Sequence, residues 1–509
     1  MGIDNRIIVI LFTTAAVLLA PVIGVAVGSG DIILPAFFLM LLCGVLVIAK
    51  PSMAVFLAVA LSASGLTLPG LPGNLDLFLV CSLALLGCTL LATVYQKAIP
   101  VRITFPHWML IFFTGIVFMT GFLRGFGFQS LGSGLWGGLF YVQVLLGGTL
   151  VFTLPRINMA PHLWRPAIFL MSILAILPTL ATLFLIWGLP YQVFGLFLKL
   201  GSGFEQLYAE TLQGGQGIGR LNSAGFAAQT MLIGFLAIVP TRKLFHIRGA
   251  LWWLWLLAII AISLLSGARL LTVMLPCTVF VAVLLQRSLT IPRVILGVLI
   301  SILGIITVYY TIDSLPYSVQ RTLSWLPGLK VSNAVAQDAA GTVDWRLDLW
   351  HVAIRYIPEY FWLGKGFSYD GRLLAVSQMR GVGGDPLDWA MIMGWYHHGC
   401  LSLLLLLGIG GLITGICMMI FSVWNHFRLN SATWNSPTLH LCHQAVLASQ
   451  IVGTSIFLII AGDVQEYMAR FLLQWAILDS LRVCDGKLRA VELDEEIMED
   501  ESHYAPVSE

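Results

Sequence analysis

Residues 399–424 read GCLSLLLLLGIGGLITGICMMIFSVW, an apolar run without one charged side chain. About 20 such residues, wound as a helix, cross the hydrocarbon core of a bilayer. The same signature recurs along the chain at 7–28, 32–49, 51–66, 75–95, 107–123, 134–154, 163–188, 224–240, 250–266, 268–286, 291–311, 443–462 and 465–483. The segment 51–66 is short, and 465–483 carries Glu466, Arg470, Gln474 and Asp479. The runs are continuous and do not alternate, which selects helices over a barrel. Composition agrees: 58% of the 509 residues are hydrophobic and 10% charged, against about 25% charged in soluble domains. Mean hydropathy is +0.91. The expectation is an all-α, polytopic transmembrane helix bundle of about 12–14 spans.

Residues 312–398 interrupt this pattern with one large hydrophilic loop. Four parts follow: N-terminal transmembrane helices (1–311), the loop (312–398), C-terminal transmembrane helices (399–483), and an acidic tail (484–509) expected to be disordered. With both termini placed in the cytoplasm, the inner connections, Arg6 and the tail hold 15 of the 27 Lys and Arg residues. The outer short connections hold only Arg124, Lys199, Arg220, Arg269 and Arg470. That bias places the large loop outside the cytoplasm. A net charge of +2 gives no footprint for nucleic acid. The eight Cys are scattered, mostly inside apolar runs, and form no CxxC pair. They read as small hydrophobes.

Within the loop, TVDWRLDLWHVAIRY (342–356) has Leu347, Trp350, Ile354 and then Ile357 at helical spacing. It predicts an amphipathic interfacial helix capped by Thr342 and stopped by Pro358. Arg346 then falls in the first turn, where unpaired amides favour an anion and a guanidinium fork grips two phosphate oxygens. The plainer alternative pairs Arg346 with headgroups or with Asp348. GKGF (364–367) reads as a Gly-flanked turn, and GWYHHG (394–399) brings His397 and His398 to the mouth of the next span. Adjacent histidines are not a metal pair at i, i+4, so acid–base or hydrogen-bonding work is the expectation. Arg269 in SGAR (266–269) lies between two spans on the same side as Arg346 and His397; the alternative is that it snorkels to headgroups. Asp463, at the outer end of the thirteenth span, is placed to orient a His or an Arg. A smaller outer loop, 189–223, is Gly- and Gln-rich (GQGIGR) and ends near Arg220, a further cation.

In this order, SGAR with Arg269, then Arg346, Trp350, Pro358 and GKG (364–366), then His397 followed by Leu401, Leu404, Gly408 and Gly411, resembles the O-antigen ligase family over about 266–411. Three positions depart from the family pattern: His398 replaces an Asn, Cys400 a Tyr, and Leu406 an acidic residue. The resemblance implies a metal-independent, fold C type membrane glycosyltransferase that uses no cofactor. Its donor is a polyprenyl-pyrophosphate-linked glycan, and its acceptor is a lipid or glycan hydroxyl on the outer face of the bacterial cytoplasmic membrane. Catalytic roles are implied for His397, Arg346 and Arg269, with Arg220, His398, Trp350 and Asp463 as substrate-binding residues. A glycan polymerase would share this chemistry. A flippase or transporter would instead place ionisable groups at mid-bilayer, and the spans before the loop are almost free of charge.

Overall fold

The computed structural model describes residues 50–66, 77–94, 99, 102–128, 133–157, 159–186, 221–244, 250–373 and 386–503. The first two expected spans, Arg220 and most of the loop 189–223 lie outside the described residues. Each of the other twelve expected spans coincides with helix. These are α1 (Pro51–Leu61), α2 (Leu77–Val94), α3 (Phe105–Arg124), α4 (Gly138–Thr153), α5 (Pro161–Leu174) continued by α6 (Leu177–Ile186), α7 (Asn222–Ile238), α8 (Ala250–Leu265), α9 (Arg269–Leu285) and α10 (Ile291–Thr311). The loop contributes α11 (Tyr317–Leu323), α12 (Asn333–Arg355) and α13 (Pro386–Met393). Then come α14 (Gly399–Asn430), α15 (Pro437–Ile459) and α16 (Val464–His503). Among the described residues, six helical segments are long and apolar enough to cross a membrane, and five more are apolar but shorter. In hydrocarbon the backbone must satisfy its own polar groups, so apolar runs of this length fold as helices.

The helices pack into one bundle. α3 lies along α14, α4 along α16, and α15 between α16 and α7. α7 also packs on α5 and α8, and α1 joins at α5 and α2. No residue of α10 is buried.

α16 is a central helix in spite of its polar residues. Phe471, Leu472, Trp475, Ala476, Leu478 and Leu481 are all buried, and the polar groups find partners inside the protein. Gln474 donates to Ser449 Oγ at 3.2 Å. His107 Nδ1 accepts from Thr104 N at 3.2 Å at the start of α3. Its proton therefore sits on Nε2, which lies 3.2 Å from Asp479. His426 of α14 approaches the other Asp479 oxygen at 3.4 Å. A carboxylate largely withdrawn from water is tolerable only with such partners. The acidic tail departs from expectation: α16 continues through it to His503. The reason is local, because Leu, Glu, Met, Lys and Arg are strong helix formers that need no apolar environment to extend an existing helix.

α12 also differs from expectation. It begins at Asn333, capped by Ser332, whose side chain accepts from Val335 N. Thr342 is therefore inside the helix, with its hydroxyl bonded to the Asp338 carbonyl at 2.9 Å. Arg346 stands more than three turns from the N-terminus, so it cannot share an anion with the helix's unpaired amides. Val335, Ala339, Leu349 and Ala353 are buried, while Val343, Leu347 and Ile354 are exposed. One face of α12 rests on protein, and a neighbouring apolar face, about a quarter-turn away, is free to meet lipid.

Candidate active site

The loop is tied to the bundle by backbone. Strand β1 (Leu135–Trp136), between α3 and α4, pairs antiparallel with β2 (Tyr369–Asp370). Phe367 N donates to Tyr141 Oη at 2.9 Å, and Arg124 Nε donates to Gly364 O at 3.2 Å. The stronger anchor is a break in α14 at Gly408 (φ 73°, ψ −174°). This conformation is essentially restricted to glycine. The break frees the carbonyls of Leu405 and Leu406, which accept from Lys365 N at 2.8 Å and Gly366 N at 2.9 Å. Ile409 N, released from its own helix, donates to Phe361 O at 2.7 Å. Gly364 meets the α14 backbone directly; a Cβ there would overlap Leu406. The GKG turn thus replaces hydrogen bonds that α14 lacks. Between its glycines, Lys365 Nζ donates to the carbonyls of Met391 at 2.6 Å and Ile392 at 2.8 Å, closing the end of α13. Burial pushes the Lys365 ammonium down to about 8.

His397 follows α13 with a left-handed backbone (φ 51°), uncommon for a residue with a side chain. Asp463 holds it there by two bonds. The carboxylate accepts from His397 N at 2.8 Å and lies 2.9 Å from His397 Nδ1. Ser402 Oγ donates to it as well, at 3.1 Å. Asp463 is the residue before α16 and is 4% exposed, whereas the imidazole is one-third exposed. A proton on Nδ1 shared with Asp463 leaves Nε2 as the basic nitrogen. The ring of Trp345 lies 5.4 Å from that of His397, which brings the neighbour of Arg346 to the dyad. Trp350 Nε1 donates to Tyr396 O at 2.8 Å, and its ring meets His398 edge-on at 5.4 Å.

His398 caps α14: its Nδ1 accepts from Leu401 N at 3.4 Å. Asn is among the best residues for that task, so His398 supplies by another side chain what an Asn at this position would provide.

Two further groups extend the polar face of α16 beyond Asp463. Glu466 is solvent-accessible yet within electrostatic reach of His397, Asp463 and Arg470. The Arg470 guanidinium lies 4.3 Å from the ring centre of Phe226, in the second turn of α7. Both are ionic side chains inside a predominantly apolar span, and that was the available signal.

Residues 252–416 match the family model described as O-antigen ligase. Over that third of the chain the sequence is similar to O-antigen ligases. No curated protein matches the chain. The matched segment covers Arg269, Arg346, His397 and the Gly408 break, and Asp463 reaches His397 from α16 beyond it.

Arg321, on α11, lies in the matched segment and was not flagged by its sequence. Only 4% exposed, it donates through Nε to Asp338, through Nη1 to Gly267 O at 2.8 Å, and through Nη2 to Thr342 Oγ1 at 2.8 Å. Gly267 belongs to the turn that carries Arg269. Thr342 is one helical turn from Arg346, on the same face of α12. Arg321 therefore fastens together the two segments that bear the candidate phosphate-binding cations. Arg321→Met is expected to lower unfolding stability by about 2 kcal/mol, the value for a buried pair discounted for the partial exposure of Asp338. Thermal unfolding of the purified protein checks this, and an unchanged midpoint would refute the fastening role. Among the described residues, no group of three or more His, Cys, Asp or Glu is arranged to hold a metal ion.

Proposed function

We propose that the protein is a membrane glycosyltransferase of the O-antigen ligase type. It moves a glycan from a polyprenyl-pyrophosphate donor to an acceptor hydroxyl at the outer face of a bacterial cytoplasmic membrane. The observation that carries this reading is the His397–Asp463 pair, set 2.9 Å apart beside the helix that bears Arg346.

The reaction breaks the bond between the donor's anomeric carbon and the pyrophosphate oxygen, and forms one between that carbon and the acceptor oxygen. His397 Nε2 takes the acceptor's hydroxyl proton as the new bond forms, and Asp463 stabilises the imidazolium. The bonding pair leaves with the pyrophosphate. Its growing charge is met by Arg346 and Arg269, which remain protonated at any working pH. Arg220, the third candidate cation, lies outside the described residues. Trp350, Tyr396 and His398 brace one another beside the acceptor position. The exposed apolar face of α12 suits a donor whose lipid stays in the bilayer while its headgroup reaches the dyad. Direct displacement on one face predicts inversion at the anomeric carbon.

The test is transfer of a labelled polyprenyl-pyrophosphate glycan by the purified protein in liposomes, with the product's anomeric configuration read by NMR. Wild type should transfer with inversion. Arg346→Ala should lose roughly 10²–10³-fold in rate, as expected for removal of one transition-state donor. A retained configuration, or full turnover by Arg346→Ala, would overturn the assignment. Movement of the intact donor across sealed vesicles without transfer would mark a flippase.

A further inference from the structure

A cavity lies at the far end of the bundle. It is about 510 Å³ and is lined by Arg242, Gln286, Arg287, Asn430, His440 and Gln444, among others. His398 starts α14 and Asn430 ends it, and at about 1.5 Å per residue these ends are on the order of 45 Å apart. The cavity therefore opens at the membrane face opposite the His397–Asp463 pair, where the charge bias of the connections places the cytoplasm.

Three features mark it as a built anion site. None of the residues lining it is acidic, while two are arginines. The adjacent carboxylate of Asp485 is occupied: it accepts from Asn435 N and Ser436 N and lies 3.6 Å from Arg482. Second, the frame is fixed by its own hydrogen bonds. Asn430 Nδ2 and Gln444 Nε2 both donate to Leu285 O, at 3.2 and 3.1 Å. Gln286 Oε1 accepts from Thr241 N and Thr241 Oγ1, each at 2.8 Å. That commitment leaves Gln286 Nε2 buried with no hydrogen-bond partner. A buried donor without an acceptor is costly.

Third, only two non-glycine residues among those described have a positive φ: His397 and Arg287 (φ 47°). Arg287 sits where α9 ends, a position that favours glycine. Retaining a bulky side chain there costs roughly 1–2 kcal/mol. The guanidinium, which glycine would lack, is the gain.

We infer that this cavity binds a phosphate-bearing anion, gripped by Arg242 and Arg287 and met by the Gln286 amide. Arginine forks match phosphate oxygens in pairs. A cavity of this size accepts a phosphate with an organic group attached. Its place at a membrane face favours the headgroup of an anionic lipid over a soluble phosphate. The inference does not depend on the glycosyltransferase reading, and its test does not use transfer.

The full-length protein, purified in a neutral detergent, is titrated with phosphatidylglycerol, phosphatidylcholine or inorganic phosphate while thermal unfolding is followed. Phosphatidylglycerol should raise the midpoint saturably and phosphatidylcholine should not. The Arg242→Gln/Arg287→Gln variant should bind at least tenfold more weakly. Arg428→Gln, an exposed charge at the same end but outside the cavity, should bind as wild type does. Arg287→Gly relieves the backbone while removing the guanidinium, so it should fold at least as well and still lose binding. An equal midpoint rise with inorganic phosphate would support the same site with a soluble ligand. No shift with either anion, or shifts that survive in both the double variant and Arg287→Gly, would overturn the inference.

Discussion

Asp463→Asn is expected to lower the transfer rate by roughly 10²–10⁴-fold, the full range of a general base's contribution, with little change in the donor's apparent KM. The side chains are nearly isosteric, so the effect is chemical. Asp463 faces both His397 N and His397 Nδ1. An asparagine oxygen can still accept from the backbone amide and from Ser402. Its NH2 then confronts Nδ1, which must present a lone pair. The imidazole proton moves to Nε2, and the acceptor hydroxyl loses its base. His397→Ala should fall by a similar factor. The double variant should be no slower than the worse single one, because the two residues act as a unit. Kinetics on the three variants, with circular dichroism to confirm folding, decide the matter. Wild-type turnover by Asp463→Asn would refute the dyad, and additive losses would show that the residues act separately.

Gly408→Ala should produce the largest loss of stability. A side chain at φ 73°, ψ −174° costs about 1–3 kcal/mol in the backbone alone. The new Cβ would also lie 2.6 Å from Trp362 O, forcing residues 361–366 away from α14. Three buried backbone hydrogen bonds would then fail, at roughly 1–3 kcal/mol for each group left unsatisfied. A total loss of about 3 kcal/mol or more follows, together with loss of transfer, since the same segment sets α13 and His397 through Lys365. Gly297→Ala on α10 is the matched control: nothing lies within 4 Å of its would-be Cβ, and alanine is the better helix former. Thermal unfolding should separate the two clearly. If Gly408→Ala unfolds with the control, the GKG turn does not depend on the break in α14.

Much of the fold was legible because the bilayer imposes a simple rule: apolar runs become helices whatever their neighbours. That rule predicted a helix at every described span. It was uncertain at α16, since hydropathy assumes that a spanning helix faces lipid, and α16 faces protein. Its Asp479 is matched by His107 and His426, side chains from two other helices. The start of α12 was misread because Thr342 looks like a cap when the upstream helix formers are set aside. Ser332 holds the true cap, and Arg346 is consequently a mid-helix residue.

The site divides along the same line. His397, Arg346 and Arg269 stood out in sequence because ionisable groups are rare in this chain and these three recur in a family-like order. Gly408 stood out only as a register mark after His397; its backbone angles explain why glycine is required there. Asp463 could be suspected from its position at the end of a span, but its partner is 66 residues away in sequence. Arg321, Glu466 and Arg470 carried no motif. The sequence by itself determined that this chain crosses a membrane many times and which few side chains are polar enough for chemistry, because both follow from the cost of placing charge in hydrocarbon. Only the tertiary structure decided which carboxylate holds His397, which arginine fastens the loop, and how a break in α14 seats it. Those depend on contacts between segments far apart in the chain, and such contacts leave no local pattern to read.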